Sequence, residues 1–178
     1  MRIRVEEIKD TIRELSSLEE VSEYPALASM IASGECRFLT PIGINLAVIR
    51  EYGHIRATGT VTARICLACS RCLVEYEHDV VSNFTLFYIP SAGFPQDEDV
   101  ELTEQDLISV ALTGDEIDFS HEIAEQVLLE IPFKPLCKES CKGLCTLCGV
   151  DLNENVCECN DVKKPLTFGM LKDIRIDT

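Results

Sequence analysis

Nine of the ten cysteines in this 178-residue chain fall in two tight groups: Cys66, Cys69 and Cys72, then Cys137, Cys141, Cys145, Cys148, Cys157 and Cys159. No other feature limits the fold as strongly. Small secreted scaffolds held by disulfides carry more cysteine than this, roughly 8–10% of residues. Clustered thiols in a reducing compartment act as metal ligands or redox groups rather than permanent bridges. Cys36 stands apart and reads as a small buried hydrophobe.

The second group is the stronger signal. It runs Cys137-x-x-x-Cys141-x-x-x-Cys145-x-x-Cys148-Gly149, followed by Cys157-x-Cys159. A Cys-x-x-Cys-Gly unit has the shape of a zinc knuckle, in which two sulfurs reach one ion and the glycine allows the tight turn. Six cysteines compete for four positions, and the expected quartet is Cys145 and Cys148 with two of Cys137, Cys141, Cys157 and Cys159. The surrounding Cys/Gly/Lys loops cannot build an apolar core and need an external cross-link. Zn2+ is the expected cofactor. The spacing Cys141-x-x-x-Cys145-x-x-Cys148 also matches that of radical enzymes with an iron–sulfur cluster, but those build a larger α/β barrel with the motif near its beginning. Zinc is therefore preferred.

The first group offers only three sulfurs. Arg71 lies between Cys69 and Cys72, where its charge would lower a thiol pKa. Two readings stay open: Cys69 and Cys72 meet two tail cysteines, giving two sites and tying the tail to the sheet, or they form a local staple or reactive dithiol. His78 is a conceivable fourth ligand, with a solvated strand position as its ordinary reading.

Hydrophobic patterning predicts an α+β fold with an antiparallel β-rich body, meander or barrel-like, a few helices and a cysteine-rich zinc-binding C-terminal segment. Residues 1–34 read as helix and loop, with Val5, Ile8, Ile12 and Leu15 on one apolar face. Residues 35–131 form the acidic body and end in a helix. Within it, 42–48 and 55–65 alternate as strands around a turn at Gly53, and a third run spans Leu73 to Ile89, so the first cysteine group falls between the second and third strands. Residues 107–112 read as strand or short helix. A helix is predicted from Ser120 to Glu130, capped by Asp118 or Ser120 and stopped by Pro132. Residues 132–178 form the cysteine tail, with a short amphipathic helix from Phe168 to Ile174.

The formal net charge is −15. Residues 1–131 hold 9 Lys/Arg against 24 Asp/Glu, while residues 132–178 hold 7 of each. An acidic body repels phosphates, which argues against direct nucleic-acid binding there. Catalytic constellations are absent: neither His54 nor His121 sits in a nucleophile motif, and the glycines form no phosphate-cradling loop. A non-enzymatic protein is expected. No apolar stretch approaches the roughly 18 residues needed to span a bilayer, and the start lacks an apolar signal core. The expectation is a cytoplasmic protein without membrane contacts.

Several segments together carry a family pattern. These are Cys69-Ser70-Arg71-Cys72-Leu73, Gly114-Asp115-Glu116-Ile117-Asp118-Phe119, the run from Gln126 to Cys137 that includes Ile131-Pro132-Phe133-Lys134-Pro135-Leu136, and Cys141-Lys142-Gly143-Leu144-Cys145-Thr146-Leu147-Cys148-Gly149-Val150-Asp151-Leu152-Asn153. The chain resembles the YceD family over about residues 36–175. That family is a bacterial and plastid group linked to accumulation of the large-subunit ribosomal RNA. The resemblance implies a ribosome-biogenesis factor associated with the large-subunit precursor. Charge then directs the contact through a basic ribosomal protein or through the tail lysines Lys134, Lys138 and Lys142. The alternative expectation is a redox-responsive thiol/zinc protein in which Cys69 and Cys72 cycle between dithiol and disulfide.

Overall fold

The computed structural model describes residues 1–34, 36–90 and 108–159. Its centre is a long antiparallel hairpin. Strand β4 (Ile42–Glu51) turns at Tyr52-Gly53 into β5 (His54–Ala68), which returns as β6 (Glu75–Pro90). Both residues of the first turn have positive φ, 42° and 91°, the geometry that matches strand twist in a two-residue hairpin. The β5–β6 pairing runs from Ile55 opposite Tyr88 to Ala68 opposite Glu75, which leaves residues 69–74 as a projecting tip.

Alternation decides which face is buried. Ile42, Ile44, Leu46 and Val48 of β4 share one face with Ala57, Val61, Ala63 and Ile65 of β5 and with Val80, Phe84 and Tyr88 of β6. Across the opposite face run polar rows such as Ser16, Asn45, Thr60 and Asn83. Helix α1 (Pro25–Ser33) and helix α2 (Ser120–Glu130) cover the apolar face through Leu27, Ile123, Ala124 and Val127. A small ribbon of β1 (Arg2–Arg4) and β8 (Glu116–Asp118) completes the layer with Ile3 and Ile117. Cys36 is buried in this core, as expected.

The predicted α2 has the expected bounds. Asp118 Oδ1 accepts the Ser120 N–H at 3.0 Å and its hydroxyl at 2.6 Å. The chain leaves the helix extended at Ile131, ahead of Pro132.

Three expectations are corrected. The N-terminal helix through Val5, Ile8, Ile12 and Leu15 does not form: a 3-10 turn (Val5–Glu7) precedes strand β2 (Arg13–Glu19), which pairs with β4. Ile8 and Leu15 do pack inward, but Ile12 is 63% exposed, so the helical spacing was coincidental. The sheet is mixed rather than a pure meander, because β7 (Ser109–Leu112) pairs parallel to β6. It is also open rather than barrel-like: among the described residues its order is β2-β4-β5-β6-β7, and the two-residue β3 (Arg37–Phe38) pairs with β5. The predicted helix Phe168 to Ile174 lies outside the described residues, as do residues 91–107 of the acidic body.

Candidate metal centres

The chain leaves α2 and crosses to the tip of the β5–β6 hairpin. There the Ser70 N–H bonds the Pro135 carbonyl (2.8 Å) and the Leu144 N–H bonds the Arg71 carbonyl (3.1 Å). The Arg71 guanidinium reaches over and donates to the Cys141 carbonyl at 2.7 Å. Its role is thus a tether to the tail backbone. What Arg71 presents to the Cys69 sulfur is instead its backbone N–H, at 3.4 Å. Gly143 makes the approach feasible: its φ is +77°, and a Cβ there would stand 3.0 Å from the Arg71 carbonyl oxygen.

This docking brings Cys69 and Cys72 together with Cys137 and Cys141, all four sulfurs within 4.8 Å of one another. Cys69 and Cys141 sulfurs are 3.8 Å apart, Cys72 and Cys137 sulfurs 3.6 Å. A second group, Cys145, Cys148, Cys157 and Cys159, meets the same limit. We call these the inner and outer centres. In space, the cysteines beside Cys145 and Cys148 are Cys157 and Cys159. Cys137 and Cys141 face the hairpin instead. His78 joins neither group; its Nε2 lies 3.4 Å from the Glu130 carbonyl oxygen. Cys66 also stays apart, with its thiol on Glu75 Oε2 at 3.4 Å.

Each centre contains the same turn. In the inner one the Cys69 N–H bonds the Val74 carbonyl, the Leu73 N–H bonds the Cys69 carbonyl, and the Arg71 N–H points at the Cys69 sulfur. In the outer one the Cys145 N–H bonds the Val150 carbonyl, the Gly149 N–H bonds the Cys145 carbonyl, and the Leu147 N–H points at the Cys145 sulfur at 3.4 Å. Two knuckles of one design each present a pair of sulfurs.

Four sulfurs this close cannot all ionise unaided. The Cys69 thiol falls to about 6, through backbone donation at Cys137 and within its own turn. Cys137 is pushed up to about 12 by burial and by the sulfurs around it. The outer centre repeats the division: backbone N–H groups at Cys148 and Leu147 lower Cys145 to about 6. At Cys157 the Cys159 N–H favours the thiolate, but the Cys145 and Cys148 sulfurs outweigh it and raise the thiol to about 12. A divalent cation removes this conflict, because a coordinating thiol is deprotonated outright. A tetrahedral ion with Zn–S bonds of about 2.3 Å sets its sulfurs about 3.8 Å apart. Both groups could therefore hold a metal ion.

The tail lysines Lys134, Lys138 and Lys142 are exposed and take no part in either centre. Sequence reasoning missed Asn153. Its side-chain N–H donates to the Cys141 sulfur at 3.5 Å, and nothing in the motif spacing marks it.

The fold and site define a strand-rich α+β domain in which a cysteine-bearing tail folds onto the end of a hairpin. Residues 57–175, more than half of the chain, match the family described as large ribosomal RNA subunit accumulation protein YceD. The chain belongs to the YceD family. It is 30% identical, over 76% of its length and 49% of the relative's, to the chloroplastic large ribosomal RNA subunit accumulation protein YCED homolog 1 of Arabidopsis thaliana. The homolog 1 of Zea mays is 29% identical over 67% of this chain and 49% of its own. An uncharacterized protein of Mycobacterium leprae is 34% identical over 63% and 49%. The chain thus spans about half the length of the curated relatives it matches. No solved structure matches it. Among the described residues, no helix is long and apolar enough to cross a membrane.

Proposed function

We propose that this chain is a non-enzymatic cytoplasmic factor supporting accumulation of the large-subunit ribosomal RNA, and that zinc in both cysteine centres is a structural cross-link holding its tail. The observation that carries the reading is the coming together of eight cysteines, inside the region matched to the family, as two four-sulfur groups. A single ion fits such spacing. An iron–sulfur cluster would insert several atoms between the thiolates and spread them, so zinc is preferred.

The partner follows from charge. With a formal −15 before any thiolate is counted, the body repels phosphate. The contact with the large-subunit precursor then runs through a basic ribosomal protein or through Lys134, Lys138 and Lys142. The test is removal of the gene from its host, with measurement of the ratio of large- to small-subunit ribosomal RNA. The expected result is a lowered ratio, restored by the parent chain and poorly by Cys69→Ser with Cys72→Ser. An unchanged ratio contradicts the proposal.

A further inference from the structure

We infer that the two centres are unequal and linked: the inner one keeps its zinc, the outer one exchanges it, and Asn153 carries the outer centre's occupancy to the inner through its N–H bond to Cys141. The inference rests on the zinc reading above.

The inequality begins with burial. Three of the four inner ligands are buried, with Cys69 0% exposed, Cys141 3% and Cys72 5%, and Cys137 is partly exposed; in the outer centre Cys145 and Cys157 are partly exposed and Cys148 and Cys159 exposed. The inner sulfurs also come from distant parts of the chain, with Cys69 and Cys141 separated by 72 positions and Cys72 and Cys137 by 65. A chelator reaches them only after the tail lifts from the hairpin, which breaks the Ser70–Pro135, Leu144–Arg71 and Arg71–Cys141 bonds together. The outer centre is built locally and opens without that step.

The link is geometric. Asn153 lies between the two pairs of outer ligands, so a metal binding Cys145 and Cys148 with Cys157 and Cys159 closes the loop that carries it. Its Nδ2 donates to Asp151 Oδ1 (2.7 Å) as well as to the Cys141 sulfur, and its Oδ1 accepts the Lys142 N–H (2.9 Å). The Leu152 N–H bonds the Gly143 carbonyl (2.9 Å), which holds the far end of the loop two residues from Cys141. An N–H donor on a ligating sulfur steadies the thiolate, and removing such an outer partner weakens metal binding by about tenfold or more.

The experiment follows exchange of bound zinc for isotopically enriched zinc supplied in excess to the full-length zinc-loaded protein, read by native mass spectrometry, so that the outer centre stays occupied throughout. The expected parent behaviour is one equivalent exchanged fast and one slowly. With the outer ligands removed by Cys148→Ser and Cys159→Ser, the chain should retain one zinc and exchange it about tenfold faster than the parent's slow phase. Asn153→Asp keeps an acceptor for Lys142 and loses the donor; Asn153→Ala loses both. Each should accelerate the slow phase by a similar factor and leave the fast one alone, and the thiolate charge-transfer absorption of the one-equivalent cobalt form should shift. Exchange of both zincs in one phase, an unchanged slow phase in the Asn153 variants or in the outer-ligand variant, or equal acceleration of both phases would overturn the inference. A purified chain without zinc overturns the zinc reading itself.

Discussion

Leu73 and Gly149 occupy the same position in two turns of one design, each directly after the second cysteine of a Cys-x-x-Cys pair, with φ of 61° and 74°. Glycine adopts that backbone freely, whereas an L side chain there costs about 1–2 kcal/mol. The leucine gains little in return, since it is 66% exposed. It is held in place by its N–H bond to the Cys69 carbonyl and by the strands on either side.

Leu73→Gly should therefore stabilise the zinc-loaded protein by about 1 kcal/mol, after allowing for the greater freedom of glycine in the unfolded chain. Gly149→Ala should loosen the outer knuckle by a similar amount. Thermal unfolding with zinc in excess checks the first, and chelator titration of the outer equivalent checks the second. A destabilised Leu73→Gly protein would show that the two turns are not equivalent.

Gly143→Ala should separate docking from folding of the body. The φ of +77° and the 3.0 Å approach to the Arg71 carbonyl both resist a side chain. The body, whose core includes neither residue, should keep its far-ultraviolet circular dichroism, while half-release of the inner zinc should fall to a lower chelator concentration. Unchanged release would mean that the tail docks without this close contact.

Within the body, the Tyr24 hydroxyl donates to Glu19 Oε2 at 2.5 Å, and the N-terminal amine lies 3.3 Å from the same oxygen. Burial alone would raise the Glu19 carboxyl; the Tyr24 and Ser17 hydroxyls and the amine outweigh it, so its pKa lies below the usual value. A group lowered in the folded state contributes stability that is present above the unfolded carboxylate pKa and is lost as pH falls through the folded one. Tyr24→Phe should cost about 1–2 kcal/mol at neutral pH and less in acid, where Glu19 is protonated. Denaturant unfolding of both proteins across the acid range reads the difference. An equal cost at every pH would contradict this assignment.

For the particle contact, a tagged copy should travel with large-subunit precursors in a sucrose gradient. Replacing Lys134, Lys138 and Lys142 by glutamate should reduce that fraction and lower the salt concentration at which the remainder leaves, as charge-driven contacts do. Unchanged association would remove the tail lysines from the interface and leave the basic-protein contact to the acidic body.

Much of the body was legible because alternation and capping are local. The strands from Ile42 to Ile65 and the helix ending before Pro132 needed nothing beyond their own residues. The N-terminus misled because Val5, Ile8, Ile12 and Leu15 mimic a helical stripe, while the edge strand from Arg13 is defined by its pairing with β4. The parallel placement of β7 is a long-range choice with no local mark. Among the cysteines, spacing marked Cys145 with Cys148 and Cys69 with Cys72, but not which of Cys137, Cys141, Cys157 and Cys159 lie beside each pair. Leu73, standing where a glycine would announce a knuckle, concealed that the hairpin tip repeats the Cys145–Gly149 turn. Asn153 is a single amide in a loop, visible only once Cys141 is beside it.

The central claim is that metal fastens the tail to the hairpin in two four-cysteine centres, and native mass spectrometry of the full chain purified without chelator tests it most directly. Two loaded centres should give a mass increase equal to two zinc ions per chain, less the four protons that two divalent cations replace. A metal-free mass with the tail still docked, or iron and sulfide in place of zinc, would contradict it.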